Sequence, residues 1–229
     1  MLADPAGVGN LRADTLEPLF DAQYWRERCE LHEVIGGRGS AWFIDSGKRQ
    51  WALRHFRRGG LIARVSKDRY VWAGEHRVRA FTEFRLLELL YGRGISVPQP
   101  VAARYSRSGL FYRCDLLTQR IAGALPLSAV LASNRLPEPA WRAVGALIAQ
   151  LHREGVDHAD LNAHNILIDG SGEASVIDFD RGRVREGGHW RSGNLLRLRR
   201  SLLKLARHWP TERFTAQDWA WLEAGYKEP

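Results

Sequence analysis

The 229-residue chain carries 34 Lys and Arg against 26 Asp and Glu, a formal net charge of +8, with 45% apolar and 26% charged residues. That is the composition of a folded globular protein of one large or two small domains, and it excludes disordered and fibrous classes. Two distant cysteines, Cys29 and Cys114, exclude a disulfide framework and a cysteine zinc site, and point to a reducing cytosol.

The first 20 residues include Asp4, Asp14 and Glu17 without a basic start or a long apolar run, so no cleavable leader is expected. Glu33 to Ile44 reads as two strands around a glycine turn, Lys48 to Phe56 as a third, and Arg58-Gly59-Gly60 as a break. Phe81, Phe84, Leu87, Leu90 and Tyr91 then recur at helical spacing until Gly92 and Gly94. Val97-Pro98-Gln99-Pro100 predicts a rigid extended connector, and Leu110 to Leu117 a strand. Ile121 to Asn134 is the longest charge-free stretch, too short for a bilayer and broken by Pro126. Past it, Trp141, Val144, Leu147, Ile148 and Leu151 line one helical face behind Pro137 and Pro139. Asn165 to Asp169 and Ala174 to Phe179, joined by Gly170-Ser171-Gly172, form a hairpin pattern. The tail, Leu195 to Trp209, is an amphipathic helix with leucines on one face and arginines around it. A strand-rich half followed by a helix-rich half predicts an α+β fold of two lobes.

The charge is concentrated. Residues 51–79 hold eight basic side chains against two acidic ones, and residues 181–207 nine against one, so local net charges of +6 and +8 stand against −6 for the remainder. Clustered arginine of this kind predicts an anionic partner, either nucleic acid or an anionic lipid.

The strongest chemical pattern is His158-Ala159-Asp160-Leu161-Asn162-Ala163-His164-Asn165, followed by Asp178-Phe179-Asp180. Phosphoryl transfer from a nucleotide needs a carboxylate beside the attacking hydroxyl and oxygen ligands for a divalent metal. This pattern resembles the catalytic loop and metal-binding motif of the protein-kinase-like superfamily, H-x-D-x-x-x-x-N followed by D-F-G. The resemblance implies a bilobal kinase-like fold, with a strand-rich lobe over residues 1–118 and a helix-rich lobe over 119–229. It implies that Asp160 orients the acceptor hydroxyl, that Asn165 and Asp178 bind Mg²⁺, and that His158 supports the loop. ATP would be the phosphate donor, held by Gly37, Gly39 and Ser40 of a glycine-rich turn and by Arg54 paired with Glu83. Two departures are evident: Arg54 stands where the superfamily has a lysine, and Asp180 where it has a glycine. Only 51 residues follow Asp178, without an A-P-E motif, so a small hydroxyl acceptor is expected rather than a protein.

Residues 54–72, together with Asp160 to Leu167 and Ile177 to Gly182, are similar to the 3-deoxy-D-manno-octulosonic acid (Kdo) kinase family of Gram-negative lipopolysaccharide biosynthesis. That similarity implies phosphorylation of the 4-hydroxyl of Kdo on a lipid A precursor at the cytoplasmic side of the inner membrane, by a peripheral protein. Arg57, Arg58, Arg64, Lys67 and Arg181 would bind this anionic glycolipid and its membrane, since arginine pairs bidentately with carboxylate and phosphate. Phe56, Tyr70 and Trp72 could stack on the sugar or sit at headgroup depth, although ordinary packing within their lobe is the expectation for any one ring, and the tail helix could lie on the bilayer, although it is expected to pack its leucines on the second lobe with its arginines outward. On this reading nucleic acid is not a partner, and no protein partner is implied. The alternatives are another sugar kinase, of the heptose or aminoglycoside type, and a non-catalytic kinase-like adaptor.

Overall fold

A computed structural model describes residues 1–4, 16–28, 30–34, 41–47, 49–57, 68–209 and 213–228. The fold is α+β and divides into two compact units, residues 1–89 with 98–120, and residues 90–97 with 121–229.

The first unit is built on one antiparallel sheet. Its strands are β1 (Leu2–Ala3), β2 (Leu31–Val34), β3 (Ala41–Asp45), β4 (Gln50–His55), β5 (Tyr70–Val71), β6 (Pro100–Ser108) and β7 (Phe111–Gln119), with α1 (Ala22–Arg26) before β2 and α2 (Arg79–Gly92) after β5. The order is β1-β6-β7-β4-β3-β2, with β5 pairing the start of β7. One face packs Leu19, Phe20, Trp25, Ile44, Trp51, Leu53 and Leu117 into a core. The predicted strands of the meander and the helix ending at Gly92 are present. The connector Val97-Pro98-Gln99 leads at Pro100 straight into β6, a nine-residue strand that the sequence reading did not include. Its first half, Val101-Ala102-Ala103, is buried throughout and shows no alternation.

The second unit contains β8 (Leu125–Pro126), α3 (Leu127–Ser133), α4 (Glu138–Arg153), β9 (Val156–Asp157), β10 (Ile166–Ile168), β11 (Ala174–Val176), β12 (Arg183–Val184), α5 (Trp190–Ala206) and α6 (Ala216–Lys227). The predicted hairpin is β10–β11, and β8 adds a third strand to it. Trp141, Val144, Leu147, Ile148 and Leu151 of α4 are buried as their spacing requires. Against α4 lies α6, so close that a Cβ on Gly145 would overlap the Leu222 carbonyl and one on Gly225 the Arg142 backbone. Thr215 and Asp218 start α6 with a reciprocal capping box.

The tail helix runs Trp190–Ala206, so Trp209 lies beyond it. Its buried face is Trp190, Asn194, Leu198 and Leu202, while Leu196 and Leu203 point to solvent among the arginines. No helix among the described residues is long and apolar enough to cross a membrane.

Candidate active site

The site begins where β9 ends. Asp157 is buried, and its carboxylate accepts hydrogen bonds from the Ala159 N–H at 3.0 Å, Asn194 Nδ2 at 2.9 Å and an Arg185 guanidinium at 3.0 Å. Burial opposes ionisation of Asp157, but the bonds from Asn194, Arg185 and Ala159 prevail and hold its carboxyl below the ordinary range. Asn194 uses its other end as well, Oδ1 accepting from the His158 N–H at 3.2 Å. One buried amide on α5 thus locks the start of the loop. Ala159 then takes a left-handed backbone, φ 58°, and Asp160 emerges exposed at the turn that follows. A non-glycine residue held there costs about 1–3 kcal/mol and persists only where neighbours over-determine it.

Ile177 ties the loop to the segment after the hairpin. Its N–H donates to the Asn165 carbonyl at 3.0 Å, and its own carbonyl accepts from His158 Nε2 at 3.0 Å. Clipped on both sides, Ile177 fixes the backbone that leads into Asp178. Asp178 also has a left-handed backbone, φ 67°, and the following Phe179 is buried with its ring 4.7 Å from the His158 ring. Burial lowers the His158 pKa against the pull of the Ile177 carbonyl and the nearby aspartates, so the imidazole is neutral with its proton on Nε2. Nδ1 of His158 is buried without a hydrogen-bond partner among the described residues.

Asn165 donates from Nδ2 to the Asp160 carbonyl at 3.1 Å, and Asn162 Nδ2 donates to the same oxygen at 2.9 Å. With its nitrogen engaged, the Asn165 side chain has Oδ1 to offer, and Asp178, the residue after Ile177, carries a carboxylate. Hard oxygen donors of this kind fit Mg²⁺ rather than a softer metal.

A residue the motif reading did not assign stands beside Asp160. The Arg197 guanidinium, on the exposed side of α5, lies 3.7 Å from an Asp160 carboxylate oxygen, and both side chains are about half exposed. In the sequence Arg197 is one of nine basic residues in its segment, and nothing in local spacing ties it to a loop 37 residues earlier.

In the first unit the structure pairs Arg54 of β4 with Glu83 of α2, a carboxylate only 2% exposed. The Arg54 guanidinium also lies over the Phe56 ring, 4.4 Å from its centroid. Phe56 and Tyr70 are buried in the packing of this unit, which removes them as sugar-stacking candidates, while Trp72 is half-buried against Tyr105. Arg57 and Arg181 are exposed. Gly37, Gly39, Ser40, Arg58, Arg64 and Lys67 lie outside the described residues.

A family model described as lipopolysaccharide kinase (Kdo/WaaP) matches residues 22–226. Three similar proteins each carry the name 3-deoxy-D-manno-octulosonic acid kinase. That of Vibrio parahaemolyticus serotype O3:K6 is 44% identical, over 88% of this chain and 86% of its own. Those of Xylella fastidiosa strain M12 and Stenotrophomonas maltophilia strain K279a are 49% and 50% identical, each over 82% of this chain and 75% of its own.

Proposed function

Since the chain belongs to the lipopolysaccharide kinase (Kdo/WaaP) family, we propose that it transfers the γ-phosphate of ATP to the 4-hydroxyl of a Kdo residue on a lipid A precursor. The observation that carries this reading is the double clip on Ile177, which gathers Asp160, Asn165 and Asp178 on one short framework. In the reaction the acceptor oxygen bonds to the γ-phosphorus as the bond to the bridging β–γ oxygen breaks, and ADP departs. Asp160, exposed at its turn, accepts the hydroxyl hydrogen, orients the attacking oxygen and takes its proton as the new bond forms. Arg197 holds the Asp160 carboxylate and is a positioning residue. Asn165 and Asp178 would hold Mg²⁺, which when bound neutralises phosphate charge. His158, neutral and wedged on Phe179, keeps the loop and the Asp178 segment in register.

On the same reading the two compact units are the two lobes of a kinase-like fold, divided near residue 119. The Arg54–Glu83 pair presents a guanidinium to the nucleotide phosphates, and Gly37, Gly39 and Ser40 line the donor. Arg57, Arg58, Arg64, Lys67 and Arg181 meet the anionic glycolipid, with the protein peripheral on the cytoplasmic side of the inner membrane.

Purified protein incubated with ATP, Mg²⁺ and Kdo-bearing lipid A precursor is expected to add one phosphate by mass spectrometry, with fragmentation locating it on O4 of Kdo. An unchanged acceptor mass, or phosphate located on the lipid A glucosamines, would overturn the proposal.

A further inference from the structure

The turn joining β6 to β7 is Gly109-Leu110, with Gly109 in the left-handed region at φ 58°. Two-residue hairpin turns favour glycine where φ is positive. Leu110 is therefore carried out at the tip, 74% exposed. It is not alone. Phe111, 42% exposed, begins β7 and pairs in register with Val71 of β5, 62% exposed, and the Trp72 N–H donates to the Leu110 carbonyl at 2.9 Å. Cross-strand partners share a face of the sheet, so Val71 and Phe111 stand side by side under Leu110. Three large apolar side chains in one exposed cluster call for an occupant.

Arginines surround this cluster. Arg107 donates Nε–H to the Gly109 carbonyl at 3.0 Å and lays its guanidinium over the Trp72 ring, 4.8 Å from the centroid. Arg69, just before β5, and Arg113, on β7, are exposed and line, with Ser106, Ser108, Phe111 and Tyr112, a cavity of about 100 Å³. The register places Ser108 opposite Phe111 and Ser106 opposite Arg113, so these hydroxyls and the Arg113 guanidinium share the face that carries Val71. Among the described residues the Asp68 carboxylate also lies at this cluster and receives Arg113 Nε–H at 2.7 Å. Two guanidinium groups and two hydroxyls beside three apolar side chains match the boundary of a bilayer, where phosphate sits directly above hydrocarbon. A protein partner fits less well, because a stable interface needs roughly 800 Å² a side, more than three side chains provide.

We infer that this hairpin tip docks the protein on an anionic lipid bilayer, with Val71, Leu110 and Phe111 entering the interface and the Arg69–Arg113 cavity receiving a lipid phosphate. The inference rests on the proposal that the acceptor is lipid-anchored, and it names a surface in the first unit.

Sedimentation with vesicles of phosphatidylglycerol and phosphatidylethanolamine, against phosphatidylcholine alone, tests it. Wild type is expected to partition to the anionic vesicles. The double variant Leu110→Ser with Phe111→Ser, and separately Arg69→Glu with Arg113→Glu, are each expected to lower the partition coefficient by at least about tenfold, with the circular dichroism melting curve unchanged. Should the arginine pair disturb folding, Leu110→Cys carrying an environment-sensitive dye provides a second measurement. Its emission is expected to shift blue on anionic vesicles, with dye-treated wild type as the blank. Turnover on a water-soluble, deacylated Kdo acceptor is expected to be unaffected by the Leu110 and Phe111 changes, while turnover on vesicle-embedded acceptor falls. If wild type binds vesicles but phosphorylates neither acceptor, the kinase proposal fails and the docking surface stands. Wild-type partition by the double variant would overturn the docking surface. So would loss of binding confined to Arg200→Glu with Lys204→Glu on α5. Finding that the double variant alters only self-association in sedimentation velocity would overturn it too.

Discussion

In the first unit His55 stands between two carboxylates, Asp115 at 2.6 Å and Asp68 at 3.4 Å, and the hydrogen bond to Asp115 raises its pKa against the opposing effect of burial. In the second, His152 lies between the rings of Trp190 and Tyr226, and burial pushes its pKa down to about 4. His158 is lowered for the same reason. The first unit fixes its polar groups by pairing charges across strands, with Arg104 bridging Asp115, Glu17 and the Phe20 carbonyl. The second fixes them by burying neutral rings and satisfying backbone groups. Chemistry-bearing residues are therefore held differently in each: in the first Arg54 and Glu83 form an ion pair across 29 residues, in the second the loop is held by its own hydrogen bonds together with Asn194 and Arg185 from beyond it.

That contrast is broken most strongly at Asp160. It is exposed, and its side chain makes one long contact, so Asp160→Ala is expected to leave the melting temperature within a degree or two while phosphate transfer falls by about 10²–10⁴-fold. Steady-state turnover beside thermal denaturation reads both. A large loss of stability would place Asp160 in the framework instead of at the chemistry.

Arg54→Ala should lower stability as well as activity. Glu83 is buried and Arg54 pairs with it, and breaking a buried ion pair from one side costs about 3–5 kcal/mol. The double variant Arg54→Met with Glu83→Leu is expected to recover most of that stability and none of the activity. Hydrogen exchange should show the opening in β3, β4 and α2, with α4 and α6 protected. Gly145→Ala is its counterpart in the second unit, where the added methyl meets the Leu222 carbonyl. The expected cost is about 1–3 kcal/mol, with lost protection in α4 and α6.

The same division explains what could be read in the sequence. Asp160, Asn165 and Asp178 were legible because their framework is local: a helix, a loop of fixed spacing and a tight hairpin keep them within 19 residues. The pairing of Arg54 with Glu83, 29 residues apart, came only through family resemblance, although the side chains do meet. Asn194, which locks Asp157 and His158, was hidden because a buried asparagine on a basic helix looks like one more polar residue. β6 was missed because a strand covered on both faces loses its period-two pattern. Helix α6 lay beyond the elements read from the sequence, and the close packing of Gly145 and Gly225 is what seats it on α4.

Titration sharpens the contrast further. His152 is depressed from 6.5 to about 4, so below 6.5 the unfolded chain takes up a proton that the folded chain refuses. Stability is then lost as pH falls from 6.5 towards 4, by about 1–2 kcal/mol at pH 5, and His158 adds in the same direction. His55, raised, has the opposite sign: its contribution is fully present below 6.5 and is lost as pH rises through its folded pKa. Followed by NMR, the Cε1–H resonance of His55 should titrate above 6.5 and those of His152 and His158 below it. A His152 resonance that moves near 6.5 would contradict its burial.

The smallest effect is expected at Arg197, and it decides whether the charged helix α5 belongs to the chemistry. Its contact with Asp160 is 3.7 Å long between half-exposed groups, so removing it is worth only about 0.2–1 kcal/mol. If the pair were merely a surface ion bridge, Arg197→Ala would change the melting temperature slightly and turnover not at all. If Arg197 holds the Asp160 carboxylate towards the acceptor, the same energy appears in the transition state, as a fall in kcat of up to about fivefold. KM for ATP would be unchanged, because Arg197 touches the acceptor side of the reaction. Arg197→Lys keeps the charge and is expected to restore part of kcat, whereas Arg197→Gln is not. Measuring the same series in an Asp160→Asn background closes the argument: with the carboxylate gone, replacement of Arg197 should have no further effect on turnover.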